Sequence, residues 1–375
     1  MTRRVLMVGR TRYRLPLDPS LRRKFDALED RLRLRVIGAA PRGGASGDRT
    51  FALQRGTPVR ALDAPAFYGA LPLRIARELR RDPADAIIAQ SPYEALAAFA
   101  GRGLARSDAA VVVEIHGDWR TWARLYGSPA RALVAPLADR AALVAIRRAD
   151  AVRTLSPFTT GIVRRAGVEP GGTFTTYTDL SAFSGSPVTP LPQRPVALYV
   201  GVLERYKNIH AIADAWRLAA PQVPEATLRV VSDGREREVV EALVRDLPGR
   251  VTWDRWLETP DVVKAFDDSW LLLLASRSEG TPRVVLEALC RGRAVVGARA
   301  GGIPDVVWDD ETGVLVDPES PADIADGLVR VLSDRALAKR LGAEAERRAA
   351  DWTYTPEEYA DRVVELVERA VAARS

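Results

Sequence analysis

Short apolar runs alternate with amphipathic segments along the whole chain. The runs are three to five residues long and rich in Val, Leu, Ile and Ala. This alternation is typical of parallel sheets covered by helices. Candidate strands lie at residues 5–8, 34–37, 86–89, 111–115 and 151–154, and then at 196–200, 228–231, 251–253, 271–274, 294–296 and 314–316. We therefore predict an α/β fold in which each half of the chain builds its own doubly wound parallel sheet.

A stretch rich in Pro, Ser and Gly, residues 181–192, separates the two sets of strands. Such composition is typical of linkers that make few contacts. A chain of 375 residues also exceeds the size at which one core usually stops growing. We predict domains at residues 1–182 and 183–352, followed by a helical segment, residues 353–375, that crosses back to the first domain.

Composition excludes several classes of protein. No apolar run approaches the roughly 18 residues of a membrane-spanning helix, and the apolar run after the basic start is too short for a signal peptide. Cys290 is the single cysteine, which rules out an intrachain disulfide and a thiolate zinc cluster. These features favour a cytoplasmic protein.

The two halves of the chain carry opposite charge. Residues 1–180 contain 30 Lys and Arg against 17 Asp and Glu, whereas residues 181–375 contain 25 against 32. A basic N-terminal half favours an anionic acceptor or peripheral contact with the anionic inner face of a membrane. Solvated arginine-rich faces are the alternative. Nucleic acid is not expected, because no binding motif accompanies the charge.

Two amphipathic segments are candidates for such membrane contact. Leu71, Ile75 and Leu79 recur on one helical face, and residues 119–126 combine tryptophans with arginines. The alternatives are an apolar stripe packed on the sheet and tryptophans that line an acceptor pocket.

Two carboxylates follow the apolar run at residues 271–274. Thr281 is a suitable N-cap and Pro282 a suitable first helical residue, so free backbone N–H groups would point into a crevice at the carboxyl end of a strand. Glu279 precedes this helix and Glu287 lies inside it, so the two reach different parts of one extended ligand. The alternative for Glu287 is an ion pair with Arg283 or Arg291 at helical spacing.

This segment resembles the motif of family 4 glycosyltransferases in which two glutamates are separated by seven residues. Residues 300–305 resemble the loop downstream of it, and residues 199–208 the family's glycine–leucine–lysine–asparagine strand end. Residues 231–234 resemble a second, glycine-bearing strand end, and residues 149–156 and 177–183 the segments that close the first domain. The resemblance covers nearly the whole chain. It implies the GT-B fold, in which two Rossmann-like domains face a central cleft, and a retaining, metal-independent transfer of sugar.

The resemblance also implies roles in binding a UDP- or GDP-sugar donor. Lys207, helped by Arg205, would hold the diphosphate, while Glu279 would bind the transferred sugar and Glu287 the ribose hydroxyls. The remaining donor-binding candidates are Gly201, Gly234, Trp256, Gly280, Thr281, Pro282 and Leu286. The sequence departs from the family at Val202, where an arginine is usual, and at Ser232, where a glycine is common. Trp256 has a second interpretation as a core residue.

A second candidate site follows the apolar run at residues 111–115. His116 is one of two histidines, and Gly117 beside it permits close approach of a ligand. The resemblance places His116 against the donor sugar near the reacting carbon. Gly117 and Asp118, and Gly9 with Arg10 in a predicted loop at residues 8–11, would lie on the acceptor side. His210, the other histidine, is predicted to be a surface residue.

Neither a metal nor a cofactor is expected, because lysine, arginine and helix termini can neutralise a diphosphate. The acceptor would be a hydroxyl compound of a cell-envelope glycan, a lipid-linked glycan or a small molecule. Two alternatives remain open: a sugar-nucleotide epimerase on the same fold, and a non-catalytic subunit that binds nucleotide sugars.

Overall fold

The computed structural model describes residues 2–44, 46–121 and 129–374, and the chain divides into two compact units. The N-terminal unit consists of residues 1–177 together with 354–375, and the C-terminal unit consists of residues 178–353. Each unit is built on its own sheet of parallel strands. The predicted α/β class, with one doubly wound sheet in each half of the chain, is therefore confirmed.

The sheet of the N-terminal unit has seven parallel strands in the order β3-β2-β1-β4-β5-β6-β7. The strands are β1 (Arg4–Arg12), β2 (Arg33–Ala39), β3 (Phe51–Gln54), β4 (Ala86–Ala89), β5 (Ala110–Ile115), β6 (Ala151–Thr154) and β7 (Gly172–Thr173). The helices described around it are α1 (Pro19–Glu29), α2 (Asp63–Arg81), α3 (Pro92–Ala105), α4 (Pro129–Arg148) and α5 (Pro157–Arg165). The strand order reverses direction between β1 and β4, which is where doubly wound folds bind ligands.

The sheet of the C-terminal unit repeats this order with six parallel strands, β10-β9-β8-β11-β12-β13. The strands are β8 (Val196–Val200), β9 (Thr227–Val231), β10 (Val251–Asp254), β11 (Leu271–Leu274), β12 (Ala294–Ala298) and β13 (Gly313–Val316). The helices are α6 (Ser181–Ser184), α7 (Ile209–Ala219), α8 (Arg237–Asp246), α9 (Thr259–Asp267), α10 (Arg283–Cys290), α11 (Ile303–Val306), α12 (Pro321–Leu332) and α13 (Arg335–Arg348). Here the strand order reverses between β8 and β11.

Every strand expected from the sequence lies within an observed strand, because central parallel strands are buried on both faces and therefore read as continuous apolar runs. The two strands that the sequence did not reveal, β3 and β7, lie at the edges of the N-terminal sheet. β3 is buried at alternate residues only, and β7 is two residues long, so neither produces such a run.

The predicted loop at residues 8–11 is wrong, since β1 continues to Arg12. Val8 pairs with Ile37 and Arg12 pairs with Ala39, so four residues of β1 advance against two residues of β2. This bulge places Gly9 and Arg10 in an irregular part of the strand at its carboxyl end.

The unit boundary lies between Tyr177 and Thr178, earlier than the predicted boundary between residues 182 and 183. The reason is that Leu180 and Phe183 are buried in the core of the C-terminal unit, where Phe183 packs edge-on against Phe266.

The segment predicted to be a linker with few contacts is instead bound to the C-terminal unit. Two fully buried arginines donate to its backbone carbonyls: Arg291 Nη1 to Ser186 at 2.9 Å, and Arg293 Nη2 to Thr189 at 3.0 Å. The composition of residues 181–192 concealed these contacts, because the donors lie about 100 residues further along the chain.

The chain ends with α14 (Pro356–Arg374), which belongs to the N-terminal unit. Tyr359, Val363 and Leu366 of this helix are almost completely buried in a core that also contains Val5 and Phe25. The last helix is therefore an integral part of the unit formed by the first half of the chain.

The proposed membrane-facing stripe of α2 is wrong, because Leu71, Ile75 and Leu79 are at most 3% exposed and pack in the core. The stripe packs on the sheet, as the alternative interpretation required. In the other candidate segment, Trp119 is half-buried, and residues 122–126 lie outside the described residues. Among the residues described, no helix is both long enough and apolar enough to span a bilayer.

Candidate functional site

The clearest site of the C-terminal unit lies where its strand order reverses. A short 3-10 turn, Arg205–Lys207, follows β8, and the loop that contains Glu279 follows β11. The Lys207 Nζ donates to the Glu279 Oε1 at 2.6 Å, and the two side chains are only 10% and 13% exposed. The structure thus brings together two predicted site residues that are distant in sequence. A cation and an anion at this position could bind a diphosphate and a sugar hydroxyl, respectively.

Asn208 fixes the position of Lys207 and was not among the predicted site residues. Its backbone adopts a left-handed conformation, with φ 63°, which asparagine tolerates better than most residues. Its side-chain Nδ2 donates to the Ala275 carbonyl at 3.1 Å and to the Pro318 carbonyl at 2.6 Å. The turn after β8 is therefore tied to the end of β11. The sequence signal that could have revealed it is the asparagine directly after the lysine in the strand-end motif at residues 199–208.

Gly234 allows the loop after β9 to contact the loop after β8. A Cβ atom on Gly234 would lie 2.4 Å from the Leu203 carbonyl oxygen, so no larger residue fits without a backbone shift. Gly201 lies directly after β8, and its N–H donates to the Val231 carbonyl at 3.3 Å. Ser232, which replaces a common glycine of the family, is buried. These two predicted glycines therefore shape the loops around Lys207.

A third glycine closes the site over Glu279. Gly301 has a left-handed φ of 59°, and a Cβ atom there would lie 2.6 Å from the Glu279 carbonyl oxygen. The Gly302 N–H donates to the same oxygen at 3.0 Å. The loop after β12 thus holds the backbone of Glu279 in place.

The predicted cap of α10 is wrong by one residue. The N-cap is Pro282, and the helix begins at Arg283 rather than at Pro282. The Thr281 hydroxyl makes no capping bond, and its oxygen is buried with no hydrogen-bond partner among the described residues. Gly280 and Thr281 therefore belong to the loop between Glu279 and the helix, within the predicted donor-binding segment.

Glu287 lies on α10 and pairs with a neighbour on the same helix. Its Oε1 accepts from the Arg283 Nε at 2.8 Å, while its own side chain is 10% exposed. Burial raises the pKa of Glu287, and the nearby Arg283 opposes that shift. Leu286 beside it was predicted to bind the donor, but its side chain is packed in the core and is not available to a ligand.

Two further predicted residues lie on the surface. Arg205 is exposed, and its guanidinium makes no ion pair with any described residue. Trp256 is 77% exposed, and its Nε1 donates to the Glu258 Oε1 at 3.3 Å. The alternative interpretation of Trp256 as a core residue is therefore wrong.

In the N-terminal unit, His116 follows β5 and is held by Glu114. The His116 Nε2 lies 3.1 Å from the Glu114 Oε2, with side chains 43% and 4% exposed. Glu114 in turn forms an ion pair with the fully buried Arg153. Burial opposes ionisation of Glu114, but the charge of Arg153 and the hydrogen bond from His116 hold its pKa well below the usual range. Glu114 and Arg153 were missed by the sequence analysis.

The residues beside His116 form a compact turn. The Asp118 carboxylate accepts two bonds from the Arg120 guanidinium, at 2.8 and 2.7 Å, and a third from the Arg120 N–H. Arg120 satisfies the Asp118 carboxylate and so fixes the backbone that follows Gly117.

Gly9 and Arg10 lie at the point where the strand order of this unit reverses. A Cβ atom on Gly9 would clash with the Gln90 side chain. The Arg10 N–H donates to the Glu94 Oε1 at 3.3 Å, and the Tyr68 hydroxyl donates to the same atom at 3.0 Å. Burial raises the pKa of Glu94. This buried carboxylate between β1 and α3 was not anticipated.

His210 is a surface residue, as predicted: its side chain is 67% exposed, and its Nε2 lies 2.8 Å from the Glu236 Oε2. Among the described residues, no group of three or more His, Cys, Asp or Glu side chains is arranged to hold a metal ion. Metal independence remains a prediction.

Two Rossmann-like units, with a lysine–glutamate pair at the strand reversal of the second, define a GT-B type of α/β protein. Two family profiles match the chain: "Glycosyl transferases group 1" over residues 187–348 and "Glycosyl transferase 4-like domain" over residues 18–175. The chain therefore belongs to the group 1 glycosyltransferases.

Curated relatives match part of the chain. A sulfoquinovosyl transferase of Arabidopsis thaliana is 31% identical over 43% of this chain and 31% of its own length. A D-inositol 3-phosphate glycosyltransferase of Corynebacterium diphtheriae is 30% identical over 42% of this chain and 39% of its own length. The chain thus aligns with well under half of the length of these relatives.

Solved structures match nearly all of the chain. Sucrose-phosphate synthase of Thermosynechococcus elongatus superposes with a TM-score of 0.77 and 19% identity, covering 99% of this chain and 100% of that one. The HepE protein of Anabaena, in complex with UDP and glucose, superposes with a TM-score of 0.69 and 17% identity, covering 98% and 99%. At this identity, the likeness establishes the fold.

Proposed function

We propose that this protein is a retaining glycosyltransferase that moves a sugar from a nucleotide-diphosphate donor to a hydroxyl acceptor. The observation that carries the proposal is the pair of Lys207 and Glu279 at the strand reversal of the C-terminal sheet. The family of the chain supports the reaction class, and the structures of HepE with UDP and with UDP-glucose support a UDP-sugar as donor.

Lys207 and Arg205 would hold the diphosphate. Lys207 is already partly desolvated beside Glu279, whereas Arg205 is exposed and unpaired among the described residues. A donor phosphate would give Arg205 a partner and would share Lys207 with Glu279. Charge-assisted bonds of this kind contribute about 1.5–3 kcal/mol each. Arg205 would thereby supply the cation that is missing at Val202.

Glu279 and Glu287 would recognise hydroxyl groups at two ends of the donor. Glu279 is held by Lys207 and by the loop at Gly301, and its second oxygen, which has no hydrogen-bond partner among the described residues, would accept from the transferred sugar. Glu287 uses its Oε1 for Arg283, which leaves Oε2 for a ribose hydroxyl. The surface aromatic ring of Trp256 would cover the base.

The reaction would proceed on one face of the sugar. The bond between the anomeric carbon and the diphosphate oxygen breaks, and the acceptor oxygen bonds to that carbon from the same side. The acceptor proton passes to the departing diphosphate oxygen, so the atoms balance without a base from the protein. The protein would contribute position and charge stabilisation, and no metal ion.

The acceptor would bind to the N-terminal unit. His116 would contact the transferred sugar, and the Gly9–Arg10 bulge would receive the acceptor. The excess of basic residues in this half favours an anionic acceptor, either free or presented at an anionic membrane surface.

A panel of UDP-, GDP- and ADP-sugars tests the proposal. A donor that binds only the folded protein raises the melting temperature. We expect one base to give the largest shift, and a glycosylated product to form once a matching acceptor is added. Turnover of the donor to an isomer without acceptor would favour the epimerase, and no shift with any nucleotide would contradict the proposal. The shift should shrink in Lys207→Ala and persist in the matched control Lys264→Ala, because Lys264 is a well-exposed lysine of the same unit.

A further inference from the structure

The N-terminal unit contains a buried ion pair directly behind His116. Arg153 on β6 and Glu114 on β5 are register partners on neighbouring strands, and their side chains are 0% and 4% exposed. Replacing such a pair by apolar residues is often neutral or stabilising, so stability alone does not account for it.

Every nitrogen of the Arg153 guanidinium has a hydrogen-bond partner. Its Nε and Nη2 donate to the Phe174 carbonyl at 3.3 and 3.2 Å, and its Nη2 also donates to the Thr176 hydroxyl at 3.1 Å. Its guanidinium lies 4.2 Å from the centre of the Phe174 ring. Nη1 donates to Glu114 and lies 3.4 Å from the Tyr359 hydroxyl on α14. The cation therefore has little freedom to move away from Glu114.

Glu114 uses both carboxylate oxygens. Oε1 accepts from Arg153, and Oε2 faces the His116 Nε2 at 3.1 Å. Residues 114 and 116 lie on the same side of the strand end because side chains alternate along a strand. Since Glu114 stays ionised, it can only accept hydrogen bonds. The His116 Nε2 must then carry the proton, and Nδ1 of the neutral ring is left as an acceptor.

We propose that Glu114 is a positioning residue that fixes the tautomer and the orientation of His116, and that Arg153, which also bonds to Tyr359, holds the carboxylate in place. His116 thereby presents Nδ1 as a hydrogen-bond acceptor for a hydroxyl group. The C-terminal helix takes part in this arrangement through Tyr359. The link to sugar transfer rests on the proposed function, whereas the tautomer does not.

His210 provides a matched comparison within the same chain. Its Nε2 lies 2.8 Å from the Glu236 Oε2, but these side chains are 67% and 25% exposed. No arginine bonds to Glu236 among the described residues, so that carboxylate is free to leave the ring for water. The two histidine–carboxylate pairs therefore have similar distances but different rigidity.

The test is the nitrogen NMR spectrum of the ¹⁵N-histidine-labelled full chain in alkaline buffer, where imidazoles are neutral. The two histidines give two sets of signals, assigned with His210→Gln. We expect His116 to be the Nε2–H tautomer. Glu114→Gln should shift His116 towards a mixture, because an amide can donate as well as accept, and should leave His210 unchanged. Glu236→Gln should affect His210 alone.

A wild-type His116 that is mainly the Nδ1–H tautomer or an even mixture overturns the proposal without any variant, so it remains testable if Glu114→Gln fails to fold. An unchanged His116 tautomer in folded Glu114→Gln overturns it as well.

Transfer kinetics separate this proposal from the proposed function. Glu114→Gln should lower kcat about tenfold to a hundredfold, as loss of an outer partner commonly does, with little change in donor KM. The double variant Glu114→Gln with His116→Ala should lose no more transfer activity than His116→Ala alone. If His116→Ala leaves transfer unchanged while the tautomer result holds, the catalytic role of His116 fails and the positioning by Glu114 stands.

Discussion

The two sheets of this protein present charged groups at their carboxyl ends in different ways. In the C-terminal unit, Lys207 and Glu279 face each other directly, and both would touch the ligand. In the N-terminal unit, the opposite charges of Arg153 and Glu114 lie beneath the surface, and the half-exposed His116 stands above them. In the first arrangement the ion pair itself would bind the ligand, whereas in the second it would support the side chain that does. The two pairs should therefore respond differently to mutation.

The largest expected effect is on the buried pair. Arg153→Met should destabilise the N-terminal unit by about 3–5 kcal/mol, because it leaves the Glu114 charge buried without the Arg153 cation. Urea denaturation measures the loss, and hydrogen exchange of the β5 and β6 amides identifies the unit that unfolds.

The control for this prediction is the double variant Arg153→Met with Glu114→Gln, which should recover part of the loss because no buried charge remains. A loss below about 1 kcal/mol in Arg153→Met would show that Glu114 reaches water or another cation, and the contrast with the C-terminal pair would disappear.

A smaller effect is expected at Gly234, whose substitution tests whether the loops around Lys207 are as tightly packed as the core of the other unit. Gly234→Ala should destabilise the C-terminal unit by about 1–3 kcal/mol, because the new Cβ meets the backbone of Leu203. Gly69→Ala on α2 is the matched control, since nothing lies within 4 Å of a Cβ there. That control should stabilise the protein by about 0.5–1 kcal/mol. Equal melting temperatures for the two variants would refute the close contact.

The pH dependence of stability should differ in sign between two buried carboxylates. The lowered pKa of Glu114 adds stability above its ordinary value of 4.5, and that stability is lost as the pH falls below it. The pKa of Glu287 is raised above the same ordinary value of 4.5, so the folded state is favoured when the group is protonated. Stability therefore falls as the pH rises from 4.5 through the raised pKa of the folded protein.

Melting curves at several pH values therefore distinguish the two carboxylates. Glu114→Gln should be most destabilising near neutral pH and less so in acid. The stability of Glu287→Gln relative to the wild type should instead be highest near neutral pH. A single titrating group changes the free energy of unfolding by at most about 1.4 kcal/mol per pH unit. Parallel curves for both variants would contradict these assignments.

The smallest effect concerns Glu287 as a ligand. Glu287→Gln should weaken donor binding by about 1 kcal/mol, roughly fivefold, because a neutral amide oxygen accepts less strongly from a ribose hydroxyl. Calorimetric titration with the donor measures it. Glu241→Gln is the control, since Glu241 also pairs with an arginine, Arg255, but on the surface of the same unit. Normal binding by Glu287→Gln would reduce Glu287 to a partner of Arg283.

The sequence predicted much of the architecture, because buried parallel strands are apolar throughout. It also predicted Lys207 and Glu279 as site residues, since each lies in a segment that resembles a motif of the family. It did not predict Glu114 and Arg153, which are adjacent only through the register of β5 and β6, nor Tyr359, which approaches from the end of the chain. Residues 181–192 were misread for the same reason: the bonds from Arg291 and Arg293 are long-range and leave no local pattern.

The most direct test of the account is a calorimetric titration of UDP and GDP into the wild type, Lys207→Ala and Lys264→Ala. The account predicts that Lys207→Ala weakens nucleotide-diphosphate binding tenfold to a hundredfold, since about 1.5–3 kcal/mol is lost. It predicts that Lys264→Ala binds like the wild type. Equal affinity in all three proteins would remove the Lys207–Glu279 pair from the site and contradict the account.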